Sequence, residues 1–301
     1  MATSEPKKNG LIVIAGPCSI NYGNVEDIYK ISDIDGIFGV RIVGLKSRTS
    51  LNQSGEGMGI DYASFTKNLD RVAKKKSFEK MEDFPSHKIA KEFIKTTGKL
   101  VATEIMDPLI QLPSLEKHIP KGKLLIWNPA VSQLGWPAMI MGSFAKKNDW
   151  YIGLKNGKWL GSPDKPDNGE TPMEKHWAGL AHYTRYHSKE DSKVVLIHRG
   201  VEVENKGDYR SLPVHEAARR AKINLGTKLF FDPSHSLGPK LRDNIVDETV
   251  AAMKIKIDPE NYLYDGLLIE AGKSLTDTEQ HITIDELREL CQRIAGFRTL
   301  Y

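Results

Sequence analysis

Leu11-Ile12-Val13-Ile14-Ala15-Gly16-Pro17-Cys18-Ser19 is the stretch that decides the fold. Its first five residues are apolar without alternation, the pattern of a strand covered on both faces. Gly16 and Pro17 then break the strand, and no G-x-G-x-x-G fingerprint follows, so an open dinucleotide-binding sheet lacks its usual sign. Runs of the same kind recur at 39–43, 100–105, 124–127, 150–154, 194–198, 228–231 and 266–270. Helical patterns lie between them at 25–31, 85–97, 108–117, 137–146, 174–186, 214–223, 244–255 and 284–295, with the segments 55–59 and 74–83 reading as loops. Asp107 before Pro108 has the form of an N-cap, and Thr283 with Glu286 that of a capping box. This alternation predicts a single-domain α/β chain folded as a (β/α)8 TIM barrel, with an open doubly wound sheet as the alternative. The expected division is a short tail over 1–10 and one catalytic barrel over 11–301.

Composition narrows the function. The chain has 301 residues, of which 40% are hydrophobic and 27% charged, with a net charge of +4. That excess is small and scattered, so nucleic acid is not an expected partner, and Lys74-Lys75-Lys76 reads as a solvated helix face. No uninterrupted apolar stretch is long enough to cross a bilayer, and residues 1–10 do not read as a secretory signal. With only Cys18 and Cys291, a disulfide framework is not expected, and the cytoplasm is the expected location. Cys291 reads as core.

The polar residues cluster where a barrel places its chemistry, at the C-terminal strand ends. Gly16-Pro17-Cys18-Ser19 follows the first strand, Arg41 lies in the second, and Lys46-Ser47-Arg48-Thr49-Ser50 follows it. Glu104 is in the third, Asn128 follows the fourth, and Lys155-Asn156-Gly157 follows the fifth. His198-Arg199-Gly200 and Asp232-Pro233-Ser234-His235 follow the sixth and seventh, Glu270 ends the eighth, and Asp277 lies in the loop beyond. Each has an ordinary reading alone: Cys18 as a small buried hydrophobe, His235 as a loop hydrogen-bonder, Glu270 as an ion-pair partner, Asp277 as a turn cap. Gathered at one mouth, a thiolate, an imidazole and two carboxylates make a shell for a divalent transition metal.

The order and spacing of these motifs resemble the class I 3-deoxy-D-arabino-heptulosonate-7-phosphate (DAHP) synthases and the related 3-deoxy-D-manno-octulosonate-8-phosphate synthases. The resemblance runs from Gly16 to Asp277 through G-P-C-S, R-x-x-x-x-K-x-R-T, K-N-G, R-G, D-P-S-H, G-L-L-I-E and S-L-T-D. It implies a transferase that joins phosphoenolpyruvate to a phosphorylated aldose, erythrose 4-phosphate first, releasing phosphate, as in the shikimate pathway of aromatic amino acid biosynthesis. It implies metal binding by Cys18, His235, Glu270 and Asp277, with Mn²⁺, Fe²⁺, Co²⁺ and Zn²⁺ all open. It implies phosphoenolpyruvate binding by Arg41, Lys46, Lys155 and Arg199, aldose phosphate binding by Arg48 and Thr49, and Glu104 near the phosphoenolpyruvate. A homo-oligomer, dimer or tetramer, is implied as well. Lys46 is placed to donate a proton to the new hydroxyl if neighbouring cations lower its pKa.

Two departures stand out. Ser47 replaces the proline of the K-P-R-T pattern, and Pro129 stands nearest the position of an arginine that clamps the phosphate. Lys155 and Arg199 are expected to compensate, with Arg185 or His198 as further candidates. The segment from Lys155 to Lys193, with Trp159, His176, Trp177, His182 and His187, is expected to hold packing or surface residues, or a substrate-shaping lid. The alternatives are a divergent paralogue with another donor or sugar in secondary metabolism, and a non-catalytic ligand-binding relative.

Overall fold

The computed structural model describes residues 10–46, 59–74, 81–127, 135–157, 171–186 and 193–301. Ser47, Arg48, Thr49, Asn128, Pro129, Trp159 and His187 lie outside the described residues, as do Lys75 and Lys76 of the lysine run.

Among the described residues, strands β1 (Ile12–Gly16), β2 (Ile37–Arg41), β3 (Leu100–Glu104), β4 (Leu124–Trp127), β5 (Tyr151–Lys155), β6 (Val194–His198), β7 (Lys228–Phe231) and β8 (Gly266–Glu270) close into one barrel in sequence order. Every neighbouring pair is parallel, and β8 returns to β1 with Ile12 opposite Gly266 and Gly16 opposite Glu270. The expected (β/α)8 barrel is thus the observed fold. Its strands read as continuous apolar runs because both of their faces are dry. Val194 and Leu196 of β6 pack against the helical layer, while Val195 and Ile197 fill the barrel interior with Ile14, Leu125, Phe230 and Leu268.

The outer layer is built from α1 (Val25–Ser32), α2 (Tyr62–Ala73), α3 (Pro85–Thr97), α4 (Pro108–His118), α5 (Gly135–Asn148), α6 (Pro172–Arg185), α7 (His215–Leu225), the short α8 (Pro233–Leu237), α9 (Ile245–Met253) and α10 (Ile284–Ala295). Asp107 caps α4 by accepting from the backbone N–H groups of Leu109 and Ile110. Thr283 and Glu286 form the reciprocal capping box of α10. A second such box, Thr171 with Glu174, starts α6 at Pro172, two residues before the expected beginning.

Two further elements depart from the expected pattern. The ladder of β2 spans Ile37–Arg41 rather than 39–43, with a register shift opposite Val13 and Ile14. Ile42 and Val43 continue beyond it through single bonds, Ile42 N–H to Ala102 O (2.9 Å) and Ile20 N–H to Val43 O (2.8 Å). Helix α2 was not expected, although Tyr62, Phe65, Leu69 and Val72 recur at helical spacing. Asn68 is its sole buried residue, and Leu69 and Val72 remain exposed.

Candidate active site

At the C-terminal ends of the strands the inward-facing residues change from apolar to charged. Arg41, Glu104, Lys155 and Glu270 end β2, β3, β5 and β8, all buried, and Lys46, Arg199 and Asp232 follow β2, β6 and β7 with equal burial. Buried charges persist only when paired, and these are paired across the mouth. Lys46 binds Glu104, Lys155 Nζ lies 2.7 Å from Asp232 Oδ2, and Arg41 Nη2 donates to Glu270 Oε1 at 3.0 Å.

Gly16 makes the approach of β1 to β2 feasible. Its φ is +153°, and a Cβ there would sit 2.9 Å from the Arg41 carbonyl oxygen. The chain then turns through Pro17 into Cys18, which a polar stitch holds against the β8 loop. Ser19 Oγ lies 2.8 Å from Thr276 Oγ1, and Asn24 Nδ2 donates to Ser19 O and Lys273 O. Cys18 Sγ consequently lies 3.5 Å from Asp277 Oδ2. Asp277 itself has a left-handed backbone (φ 51°), a conformation that aspartate tolerates better than most residues.

The β7 loop is organised by Asp232, the N-cap of α8. Its Oδ1 accepts from the His235 backbone N–H at 3.1 Å, and Oδ2 lies 3.0 Å from His235 Nδ1. The imidazole is thereby held with Nδ1 protonated and Nε2 turned toward Glu270, whose Oε1 is 3.8 Å away. A carboxylate behind a histidine is the arrangement that orients metal-ligating imidazoles. Glu270 is fixed in turn by its own N–H donating to Ser234 Oγ (2.9 Å) and by Gln280 Nε2 donating to Oε2 (2.5 Å). Arg210 donates to the other end of Gln280 and lies 4.0 Å from Asp277.

The four residues expected to bind metal are therefore brought together. His235, Glu270 and Asp277 offer donor atoms within 4.8 Å of one another, and so do Cys18, Glu270 and His281. The donor set suits a borderline transition ion. Burial, with Glu270 and Asp277 adding to it, pushes the Cys18 thiol up to about 12, so binding a cation as thiolate entails releasing a proton. Burial pulls His235 down to about 4, partly opposed by Asp232, which leaves the neutral imidazole that metals take. Burial pushes Glu270 up, but His235 and Arg41 outweigh it and hold the carboxyl well below the usual range.

The residues expected to meet phosphoenolpyruvate also reach the mouth. Arg199 N–H donates to Asn156 Oδ1 (2.8 Å) and Asn156 Nδ2 to Gly200 O (2.8 Å), so the K-N-G and R-G loops are zipped together. Arg41 Nε and Nη1 and Arg199 Nε are buried N–H groups with no hydrogen-bond partner among the described residues. The Arg41 guanidinium also stands 5.4 Å from the centre of the Trp127 ring. Glu104 is drawn down to about 2, because Lys46 and Lys155 outweigh its burial.

Three expectations need correction. Burial alone would lower Lys46, but Cys18 and Glu104 more than offset it, so the ammonium is held above its ordinary value rather than below. His198 does not reach in: it faces the helical layer, with Nδ1 2.8 Å from Tyr264 Oη and Nε2 accepting from Val214 N–H. Arg185 ends α6, and its Nη2 donates to the Leu225 carbonyl at the end of α7 (3.4 Å). Trp177, in the 155–193 segment, is core, its Nε1 donating to Leu154 O at 2.8 Å. Asp232 and Asn156, inside the D-P-S-H and K-N-G motifs, and Arg210, Gln280 and His281 join the site without being singled out by the sequence. Their signal was weak: Gln280 and His281 follow Asp277 by three and four residues, in a loop whose path the sequence does not disclose.

No model of a known protein family matches the chain, and no curated protein sequence matches it. Among solved structures, it is similar to a phospho-2-dehydro-3-deoxyheptonate aldolase (DAHP synthase) from Thermotoga maritima, with a TM-score of 0.69 and 19% identity over 96% of this chain and 69% of that one. It is likewise similar to a truncated form of 3-deoxy-D-arabino-heptulosonate 7-phosphate synthase from the same organism, with a TM-score of 0.65 and 19% identity over 98% of this chain and 90% of that one. At that identity the likeness establishes the shared barrel architecture. No helix among the described residues is long and apolar enough to cross a membrane.

Proposed function

We propose that the chain catalyses a metal-dependent condensation of phosphoenolpyruvate with a phosphorylated aldose, erythrose 4-phosphate first, releasing phosphate and forming a 3-deoxy-2-keto sugar acid phosphate. The observation that carries this reading is the pairing of two features in one mouth. A cluster of chelating side chains at or after the ends of β1, β7 and β8 adjoins buried guanidinium N–H groups on Arg41 and Arg199 that have no acceptor among the described residues. Unmet buried donors are costly, and a dianionic ligand removes that cost. The named activity of the structural neighbours and the motif order support the same choice.

Roles follow from chemistry. Cys18, His235, Glu270 and Asp277 would hold a divalent ion, which supplies Lewis acidity toward a carbonyl oxygen. Arg41 and Arg199 suit planar, bidentate contacts with the carboxylate and phosphate of phosphoenolpyruvate, while Lys155 acts as a compact charge. Lys46, held as an ammonium, is an acid available to the developing alkoxide, and Glu104 keeps it in place. Asp232 positions both His235 and Lys155. Arg48 and Thr49 are assigned to the aldose phosphate from sequence. A cytoplasmic homo-oligomer belongs to the same proposal.

A second reading, a paralogue with another donor or sugar, draws on β4. Its residues Leu124–Trp127 bring no charged group to the mouth, and Trp127 presents an indole there. One assay separates the two. Purified protein is incubated with Mn²⁺ and phosphoenolpyruvate, and phosphate release is followed with erythrose 4-phosphate and then with other aldose phosphates. Release with erythrose 4-phosphate alone supports the first reading, and release with another sugar the second. No release with any aldose or donor points to a binding protein and overturns both.

A further inference from the structure

His281 is a buried imidazole in the loop after β8 that belongs to none of the sequence motifs. The backbone brings it to the mouth. Ala271 and Ile282 form a parallel bridge, Ile282 N–H donates to Glu270 O (3.2 Å), and Gly272 N–H donates to Ile282 O (3.0 Å). The loop between them is thereby closed, and residue 281 is set beside residue 270. The Nδ1 of His281 lies 3.0 Å from the Gly272 carbonyl oxygen. A carbonyl can only accept, so Nδ1 carries a proton, and in the neutral imidazole the lone pair is then on Nε2. That Nε2 is buried and has no hydrogen-bond partner among the described residues. It lies 3.7 Å from Glu270 Oε2, beyond hydrogen-bond range.

We propose that His281 Nε2 is a further protein ligand of the ion held by Cys18, His235, Glu270 and Asp277. The inference rests on the reading of that cluster as a metal site and extends it to a second imidazole. Donors about 2.0–2.3 Å from a common ion stand roughly 3–4.6 Å from one another. Cys18, Glu270 and His281 satisfy that spacing within 4.8 Å, as do His235, Glu270 and Asp277. Glu270 belongs to both trios, and its two oxygens divide between the imidazoles: Oε1 is 3.8 Å from His235 Nε2, and Oε2 is 3.7 Å from His281 Nε2. Each imidazole is backed by an acceptor on Nδ1, Asp232 for His235 and Gly272 O for His281. The two histidines are thus built alike, as oriented bases aimed at one carboxylate.

The test uses full-length protein loaded with Co²⁺. Each coordinated imidazole contributes one strongly hyperfine-shifted, exchangeable N–H proton, and ¹⁵N-histidine labelling identifies it. The wild type is expected to show two, and His281→Gln to lose one while keeping the other. Competition against a chelator should show His281→Gln binding Co²⁺ about tenfold more weakly or worse. The wild-type spectrum needs no variant, so a folding defect in His281→Gln does not spoil the result. Cys18→Ser serves as the control for the site itself, through loss of the thiolate-to-cobalt absorption. One shifted imidazole in the wild type, with that absorption present, overturns the role of His281 and leaves the proposed metal site standing. Failure of the wild type to bind Co²⁺ overturns both.

Discussion

Arg41 and Glu270 meet across the barrel mouth at 3.0 Å, with side-chain exposures of 1% and 0%. The contact joins an anion-binding candidate on β2 to a metal-binding candidate on β8, so the two halves of the site share one hydrogen bond. Arg41 spends Nη2 on Glu270, and its Nε and Nη1 have no partner among the described residues. Arg41→Gln removes those donors and leaves Glu270 less compensated. Phosphoenolpyruvate affinity should fall about 100-fold, the scale of a lost charge-assisted pair. Isothermal titration calorimetry on metal-loaded protein measures it, and an unchanged affinity would place the phosphoenolpyruvate elsewhere.

Asp232→Asn tests positioning. The amide no longer matches both the His235 Nδ1–H and the Lys155 ammonium, so the imidazole loses its fixed tautomer. Metal affinity should drop by about 10–100-fold, with the backbone fold retained. Chelator competition and circular dichroism read the two quantities; equal affinity in wild type and variant contradicts the assignment.

Lys46→Met separates acid from scaffold. The side chains have similar volume, but the variant has no proton to give and leaves Glu104 unpaired. Turnover should fall by at least about 100-fold while bound metal per chain stays unchanged. Elemental analysis beside a phosphate-release assay decides it. Retained activity would reassign the proton donor.

Acid stability should depend on two histidines outside the mouth. Burial lowers His87 to about 3 and His215 to about 4. Below the ordinary histidine pKa of about 6.5 the unfolded chain takes up protons that the native chain refuses. Their contribution is complete above that pH and is lost as the pH falls toward the native values, at about 1.4 kcal/mol per pH unit for each. Asp61 acts in the opposite sense: burial raises it to about 6 against its bonds to Ser86, so it favours the native state as the pH falls from that value to about 4. His87→Gln should therefore flatten the acid limb of the stability profile by about one proton between pH 6.5 and 3. Denaturant midpoints measured across that range test it, and an unaltered slope counts against a neutral buried His87.

Much of the barrel was legible because covered strands need no polar face. The runs 124–127, 194–198, 228–231 and 266–270 coincide with β4, β6, β7 and β8. Helix α8 was hidden because five residues hold no period, and β2 was displaced because extension and ladder pairing end at different residues. The meeting of Cys18 with Asp277 could be expected from the convergence of strand ends, since β1 and β8 are neighbours in any closed barrel. The raised pKa of Lys46 could not. Sequence displays the cations around it, but the sign is set by Cys18 in the loop after β1 and by Glu104 on the next strand. His281 was invisible for a related reason: its place depends on the bridge between Ala271 and Ile282, which ordinary loop composition does not announce.

Lys46 faces Glu104 and Lys155 faces Asp232 on one dry rim, so a lineage that changed a single member would strand its opposite in a medium that tolerates no lone charge. Viable drift in this rim must move by couples, through reversals or joint neutralisations whose effects are strongly non-additive. New ligand preferences would then arise in the surrounding loops long before the rim itself is rewritten.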